Sequence, residues 1–107
     1  MEPLPIFVGG IWRTGRGETM HSYFPADGSV NATLNAASLE DLQEAITHAE
    51  RAWRNPQWRN TLPHQRAKLL HKVADNIESR VDELARMQSR DNGKPLAEAR
   101  GLVMSAA

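Results

Sequence analysis

Ser38-Leu39-Glu40-Asp41-Leu42-Gln43-Glu44-Ala45-Ile46, running on to Trp53, is the stretch at which the chain changes its period. Before it, short β-favouring runs alternate with turn residues. From Ser38 the apolar positions Leu39, Leu42, Ile46, Ala49 and Trp53 fall on one stripe of a 3.6-residue helix. Glu40, Glu44, His48 and Arg51 lie largely outside it, so the segment reads as an amphipathic helix with one face to bury. Ser38 followed by Asp41 is a capping box, in which hydroxyl and carboxylate satisfy amides left open at a helix start. Asn55-Pro56 closes the helix, because the residue before proline is pushed out of the helical region.

Downstream, Pro63 opens a second helical pattern with Leu70, Ala74 and Ile77 on one face, widened by Leu69 and Val73. Ser79 and Asp82 repeat the capping-box spacing inside this run, so a break or bend is expected there. An unbroken helix from Pro63 to Asp91 would be about 43 Å long at ~1.5 Å per residue. Val81, Leu84 and Ala85 face inward beyond the break. Asn92-Gly93 then supplies a left-handed stop, and Pro95 opens a fourth helix at its first position. The run from Gly101 to Ala107 reads as a helix in progress without a cap, which suggests truncation.

Upstream, Ile6-Phe7-Val8 and Ile11-Trp12 flank Gly9-Gly10, a dipeptide suited to a two-residue hairpin. Gly15-Arg16-Gly17 marks a reversal, and Met20, Ser22, Tyr23 and Phe24 carry alternation into Pro25-Ala26-Asp27-Gly28, a turn. Val30 to Leu34 reads as a third short strand. Together these make a small antiparallel sheet, marginal by itself in water. The expected class is α+β: residues 1–37 hairpin and short strands, residues 38–107 a layer of about four amphipathic helices.

Bulk properties narrow the function. A chain of 107 residues holds one small core. Zero formal net charge with 24% charged residues gives no global field toward nucleic acid or anionic membrane. Nothing approaches the ~20 apolar residues of a membrane span. There is no cysteine, hence no disulfide framework and no thiolate within these residues.

The candidate chemistries each meet a plainer explanation. His64 and His71 are seven apart, whereas helical ligands of one metal sit three or four apart, so they read as surface histidines. Gly9-Gly10, Gly15-Arg16-Gly17 and Gly93-Lys94 match neither the dinucleotide fingerprint nor a P-loop, and turn chemistry explains all three. Trp53 and Trp58 among Arg51, Arg54, Arg59 and Arg66 could stack on nucleic acid, but an anchor ringed by solvated arginines is the better reading. His21 and Ser22 are neighbours, which is not how a catalytic serine receives its base. A self-contained helical interaction module remains the alternative to an enzyme segment.

The order of segments resembles the N-terminal region of the aldehyde dehydrogenase superfamily. The matching pieces are Phe7-Val8-Gly9-Gly10-Ile11-Trp12, Gly17-Glu18-Thr19, Pro25-Ala26-Asp27-Gly28, Ala36-Ala37-Ser38-Leu39-Glu40-Asp41-Leu42, Ala49-Glu50-Arg51-Ala52-Trp53, Gln65-Arg66-Ala67-Lys68-Leu69-Leu70, Asp82-Glu83-Leu84-Ala85 and Asp91-Asn92-Gly93-Lys94-Pro95. The chain departs from the family at Phe24, where asparagine is usual, and at Leu62, where serine or threonine is common.

The resemblance implies an α/β parent fold with a Rossmann-like cofactor domain, and oxidation of an aldehyde to a carboxylic acid with NAD or NADP. In the family a cysteine thiolate attacks the aldehyde, hydride passes to the nicotinamide, and a glutamate-activated water releases the acid. Those residues lie in later sequence, so no catalytic or cofactor-binding residue is expected here, and the chain by itself is expected to be inactive. A cytoplasmic homodimer or homotetramer is implied, with neither nucleic acid nor membrane as partner. Some members, betaine aldehyde dehydrogenases included, hold a monovalent cation, K+ or Na+. The matching positions are the carbonyls of Ser22 and Tyr23 and the acid of Asp91.

Overall fold

The computed structural model describes residues 2–107. Its elements run β1 (Ile6–Val8), β2 (Ile11–Arg13), β3 (Thr19–Tyr23), β4 (Val30–Asn35), α1 (Leu39–Arg54), α2 (Pro56–Arg59), α3 (Pro63–Ser79), α4 (Val81–Asn92) and α5 (Leu96–Ala106). They divide into two compact bodies. One comprises the residues up to Ser22 with Val30–Thr61; the other comprises Tyr23–Ser29 with Leu62–Ala107.

In the first body, β1 and β2 pair antiparallel, with Phe7 opposite Trp12 and Val8 opposite Ile11. The turn between them is Gly9-Gly10, with φ of 61° and 87°, the left-handed region in which glycine carries no side-chain penalty. The Phe7 and Trp12 rings lie 4.8 Å apart and tilted by 46°, a cross-strand aromatic pair worth about 0.5–1.5 kcal/mol beyond its area. β4 pairs with β3, and the Leu4 amide reaches the Thr33 carbonyl at 2.7 Å.

The strands therefore form two two-stranded sheets, where the alternation had suggested one sheet of three strands. The reason is Gly15-Arg16-Gly17. Instead of turning β2 directly onto β3, this loop presses against the backbone of Asn35 and Ala36. A Cβ on Gly15 would meet the Asn35 carbonyl oxygen at 2.4 Å, and one on Gly17 would meet that of Ala36 at 2.7 Å.

α1 begins with the expected capping box: the Asp41 amide donates to Ser38 Oγ at 3.1 Å, and the Ser38 amide donates to the Asp41 carboxylate at 2.9 Å. It ends at Asn55, whose side chain caps the single-turn α2 by accepting the Gln57 amide at 3.0 Å. This short helix, opened by Pro56, is the element that period alone did not reveal.

In the second body, α5 packs mainly against α4 and less extensively against α3. The break between α3 and α4 falls at Arg80, where a bend was expected. The Ser79–Asp82 capping box does not form. Ser79 is the last residue of α3, and its hydroxyl donates back to the Asn76 carbonyl at 2.9 Å. Arg80 takes the cap position instead and pairs with Glu83. Gly93 ends α4 at φ 76°, the expected left-handed stop. Pro95 sits just ahead of α5 rather than inside it.

The buried hydrophobic residues among those described are small or medium: Val81, Ala85 and Ala99. The large ones are open. Leu39, Leu42, Ile46 and Trp53, the stripe of α1, are all more than half exposed, as is Leu70 on α3. Helix faces left this bare are not those of a self-contained helical bundle.

Candidate functional site

The most organised polar constellation is built on the first turn of α1. Asp41 is 1% exposed, and a charge taken this far out of water must be paired. One carboxylate oxygen accepts the backbone amides of both Arg16 and Ser38 at 2.9 Å. The other accepts Arg16 Nε at 2.7 Å and lies 2.6 Å from the Arg13 guanidinium. Glu44, one helical turn on, pairs with one guanidinium nitrogen of each arginine, and that of Arg16 is shared with Asp41. The acid's acceptor positions are thus filled from three segments.

The consequence is electrostatic. Backbone donation from Arg16 and Ser38, with the Arg16 side chain and the Arg13 charge added, holds the Asp41 carboxyl well below the usual carboxylate range, outweighing the opposing effect of burial. Glu44 is lowered too, chiefly by its hydrogen bond from Arg16. A carboxylate this strongly held neither takes nor gives a proton near neutral pH, so the cluster is a mechanical clasp and not acid–base machinery. Sequence reading found the Ser38–Asp41 half and missed Arg13, Arg16 and Glu44. The available signal was the arginine bracketed by two glycines, the residue type a backbone needs in order to approach another closely.

The residues expected at a monovalent-cation site, Ser22, Tyr23 and Asp91, are placed as follows. Tyr23 ends β3 and Asp91 lies in the last turn of α4, both in the second body. There the turn at Phe24–Ser29 and the end of α4 are packed together. The Arg90 guanidinium sits 4.8 Å over the Phe24 ring, and Gly93 lies so close to Pro25 that a Cβ would be 3.2 Å from it. Asp27 accepts the Ser29 amide at 2.9 Å and is lowered by Ser29 first, with Arg90 adding a smaller pull. Ser22 belongs to the first body, where its hydroxyl meets the Asn31 side-chain amide at 3.5 Å.

The other candidates are placed as follows. His64 and His71 are exposed, and among the described residues no group of three histidines, cysteines or acids could hold a metal ion. The His21 ring nitrogen meets Thr33 Oγ1 at 3.1 Å on the neighbouring strand. Gly9 and Gly93 serve turn and cap, and Gly15 and Gly17 serve close backbone approach. Trp53 is exposed, so the anchor expected of it has nothing to bury against in the described residues. No described helix is long and apolar enough to cross a membrane.

The family model for the aldehyde dehydrogenase family matches residues 12–107. An aminoacetaldehyde dehydrogenase of Pseudomonas aeruginosa is 36% identical over 97 residues, covering 90% of this chain and 20% of that relative. The crystal structure of an NAD-dependent aldehyde dehydrogenase from Sinorhizobium meliloti superposes with a TM-score of 0.89 at 32% identity, over 96% of this chain and 21% of that one. A betaine aldehyde dehydrogenase variant from Staphylococcus aureus, solved in complex with NAD+, gives 0.86 at 26% identity, over 94% and 20%. The chain therefore spans about a fifth of the length of the curated and solved proteins it matches, with nearly all of its own residues inside the match. With the family model matching residues 12–107, the chain belongs to the aldehyde dehydrogenase family.

Proposed function

We propose that these residues form the N-terminal part of an NAD(P)-dependent enzyme that oxidises an aldehyde to a carboxylic acid, working as a cytoplasmic homodimer or homotetramer. Their part is architectural. Residues 38–107 serve as a helical layer over the cofactor domain, and the clasp at Asp41 fixes the β1–β2 arm to that layer. The observation carrying this reading is the family match across residues 12–107. The bare stripe of Leu39, Leu42, Ile46 and Trp53 supports it, since so much exposed apolar surface on one helix calls for a cover.

NAD(P) does not fit the residues of this chain, which offer no glycine-rich strand-to-helix turn for a pyrophosphate, and no cysteine is present to act as nucleophile. No chemical step is assigned to them. The test is a chimaera in which this chain replaces the matching segment of the Pseudomonas aeruginosa relative. It is expected to fold and to reduce NAD+ when given aminoacetaldehyde. A chimaera that melts cooperatively at the parent's temperature yet has no activity would overturn the reading, as would aldehyde oxidation by the 107 residues alone.

A monovalent cation belongs to the same proposal, held by the Tyr23 carbonyl and the Asp91 carboxylate. Oxygen donors suit a hard cation, and the packing of Phe24 and Pro25 on the end of α4 supports it. Replacing choline by K+ or Na+ at constant ionic strength should raise the melting temperature of the chimaera, and Asp91→Asn should abolish that rise. Equal melting in all three salts rejects the cation.

A further inference from the structure

The chain contains six asparagines, and Asn92 is the one followed by glycine. This dipeptide is chemically fragile, because a glycine amide nitrogen, unshielded by any side chain, can reach the carbonyl carbon of the preceding asparagine side chain. Asn92 is exposed to solvent. Its surroundings hold the reaction back. It is the last residue of α4, and the ideal helical ψ of about −42° turns the following nitrogen away from the side-chain carbon. The Gly93 amide is engaged, donating to the Ser89 carbonyl at 2.9 Å. The Asn92 side-chain oxygen is also engaged, accepting the Lys94 amide at 3.0 Å.

We infer that Asn92 is a deamidation site whose rate is set by the closed end of α4. When the last helical turn opens, the deprotonated Gly93 nitrogen attacks Asn92 Cγ. The new N–Cγ bond forms, the Cγ–Nδ2 bond breaks, and ammonia leaves with the proton given up by the Gly93 amide. Water then opens the cyclic imide at either carbonyl, giving aspartate or isoaspartate, with no change of oxidation state. Isoaspartate adds a methylene to the main chain where Gly93 must hold φ 76° against Pro25, so the altered chain loses the stop of α4. The modification is a one-way record of how often this helix end has opened.

The experiment is incubation of the full chain at mildly alkaline pH, with peptide mapping for the one-dalton gain and enzymatic methylation to count isoaspartate. Asn92 should convert before every other asparagine, both in native buffer and in concentrated urea. The native rate should be at least about tenfold slower, the factor reporting the free energy of opening. Gly93→Ala should slow conversion in urea, where fold plays no part, which separates dipeptide chemistry from protection by the helix. Equal rates in native buffer and urea would overturn the proposal, and so would another asparagine converting first.

Discussion

In the body built on α1 the group at the centre is a carboxylate, whereas in the body built on α3, α4 and α5 it is a set of small apolar side chains. Asp41 draws Arg13, Arg16 and Ser38 onto itself through directional contacts of 2.6 to 2.9 Å. Ala85 and Ala99 work by absence: with only a methyl group each, they let α4 and α5 come close. Both devices position backbone precisely without burying much apolar surface. That suits segments whose large hydrophobic residues face outward, and it leaves stability resting on a few points.

The contrast can be broken most forcefully at Gly15. Gly15→Ala puts a Cβ 2.4 Å from a backbone carbonyl oxygen that cannot swing aside, so the loop carrying Arg16 must lift off. A loss of about 3 kcal/mol in urea unfolding is expected. Next comes Ala99→Leu, which overfills the α4–α5 contact and should cost about 1–3 kcal/mol. If it proves as harmless as a surface change, small-residue packing does not hold that body together. Ser38→Ala removes one hydroxyl acceptor from the start of α1 and should cost about 1 kcal/mol, read as a lower urea midpoint with unchanged slope.

The subtlest test sharpens the difference by pH. Asp41 is more acidic folded than unfolded, so its contribution is complete above the ordinary carboxylate value near about 4 and is lost as pH falls below it. Melting measured from pH 7 down to pH 3 should fall for the native chain and fall less steeply for Asp41→Asn. No comparable carboxylate lies buried among the described residues of the second body, and Ala99→Leu should leave the pH dependence unchanged.

What could be read in advance follows from distance along the chain. The Ser38–Asp41 box, the Gly9-Gly10 turn, the break near Arg80 and the stop at Gly93 all depend on residues within one turn of each other, and all are present. The failures have two sources. Ser79 and Asp82 have the right spacing, yet Ser79 was already spoken for by the end of α3. The clasp joins residues 25 to 31 positions apart, beyond any periodic pattern. Even there a trace existed, in glycines flanking an arginine, but it names no partner. The splitting of the strands into two sheets was hidden for the same reason, since it depends on where that loop settles.

Asp41 also implies an order of events. Its carboxylate serves the Ser38 amide three residues away and Arg16 twenty-five residues away, and the shorter loop closes at far lower entropic cost. Helix initiation can therefore precede arrival of the arm, with an acid already ionised and aimed when the guanidinium swings in. Arg16→Ala should then speed unfolding and leave the refolding rate nearly untouched, making this side chain a late fastener on a scaffold formed beforehand.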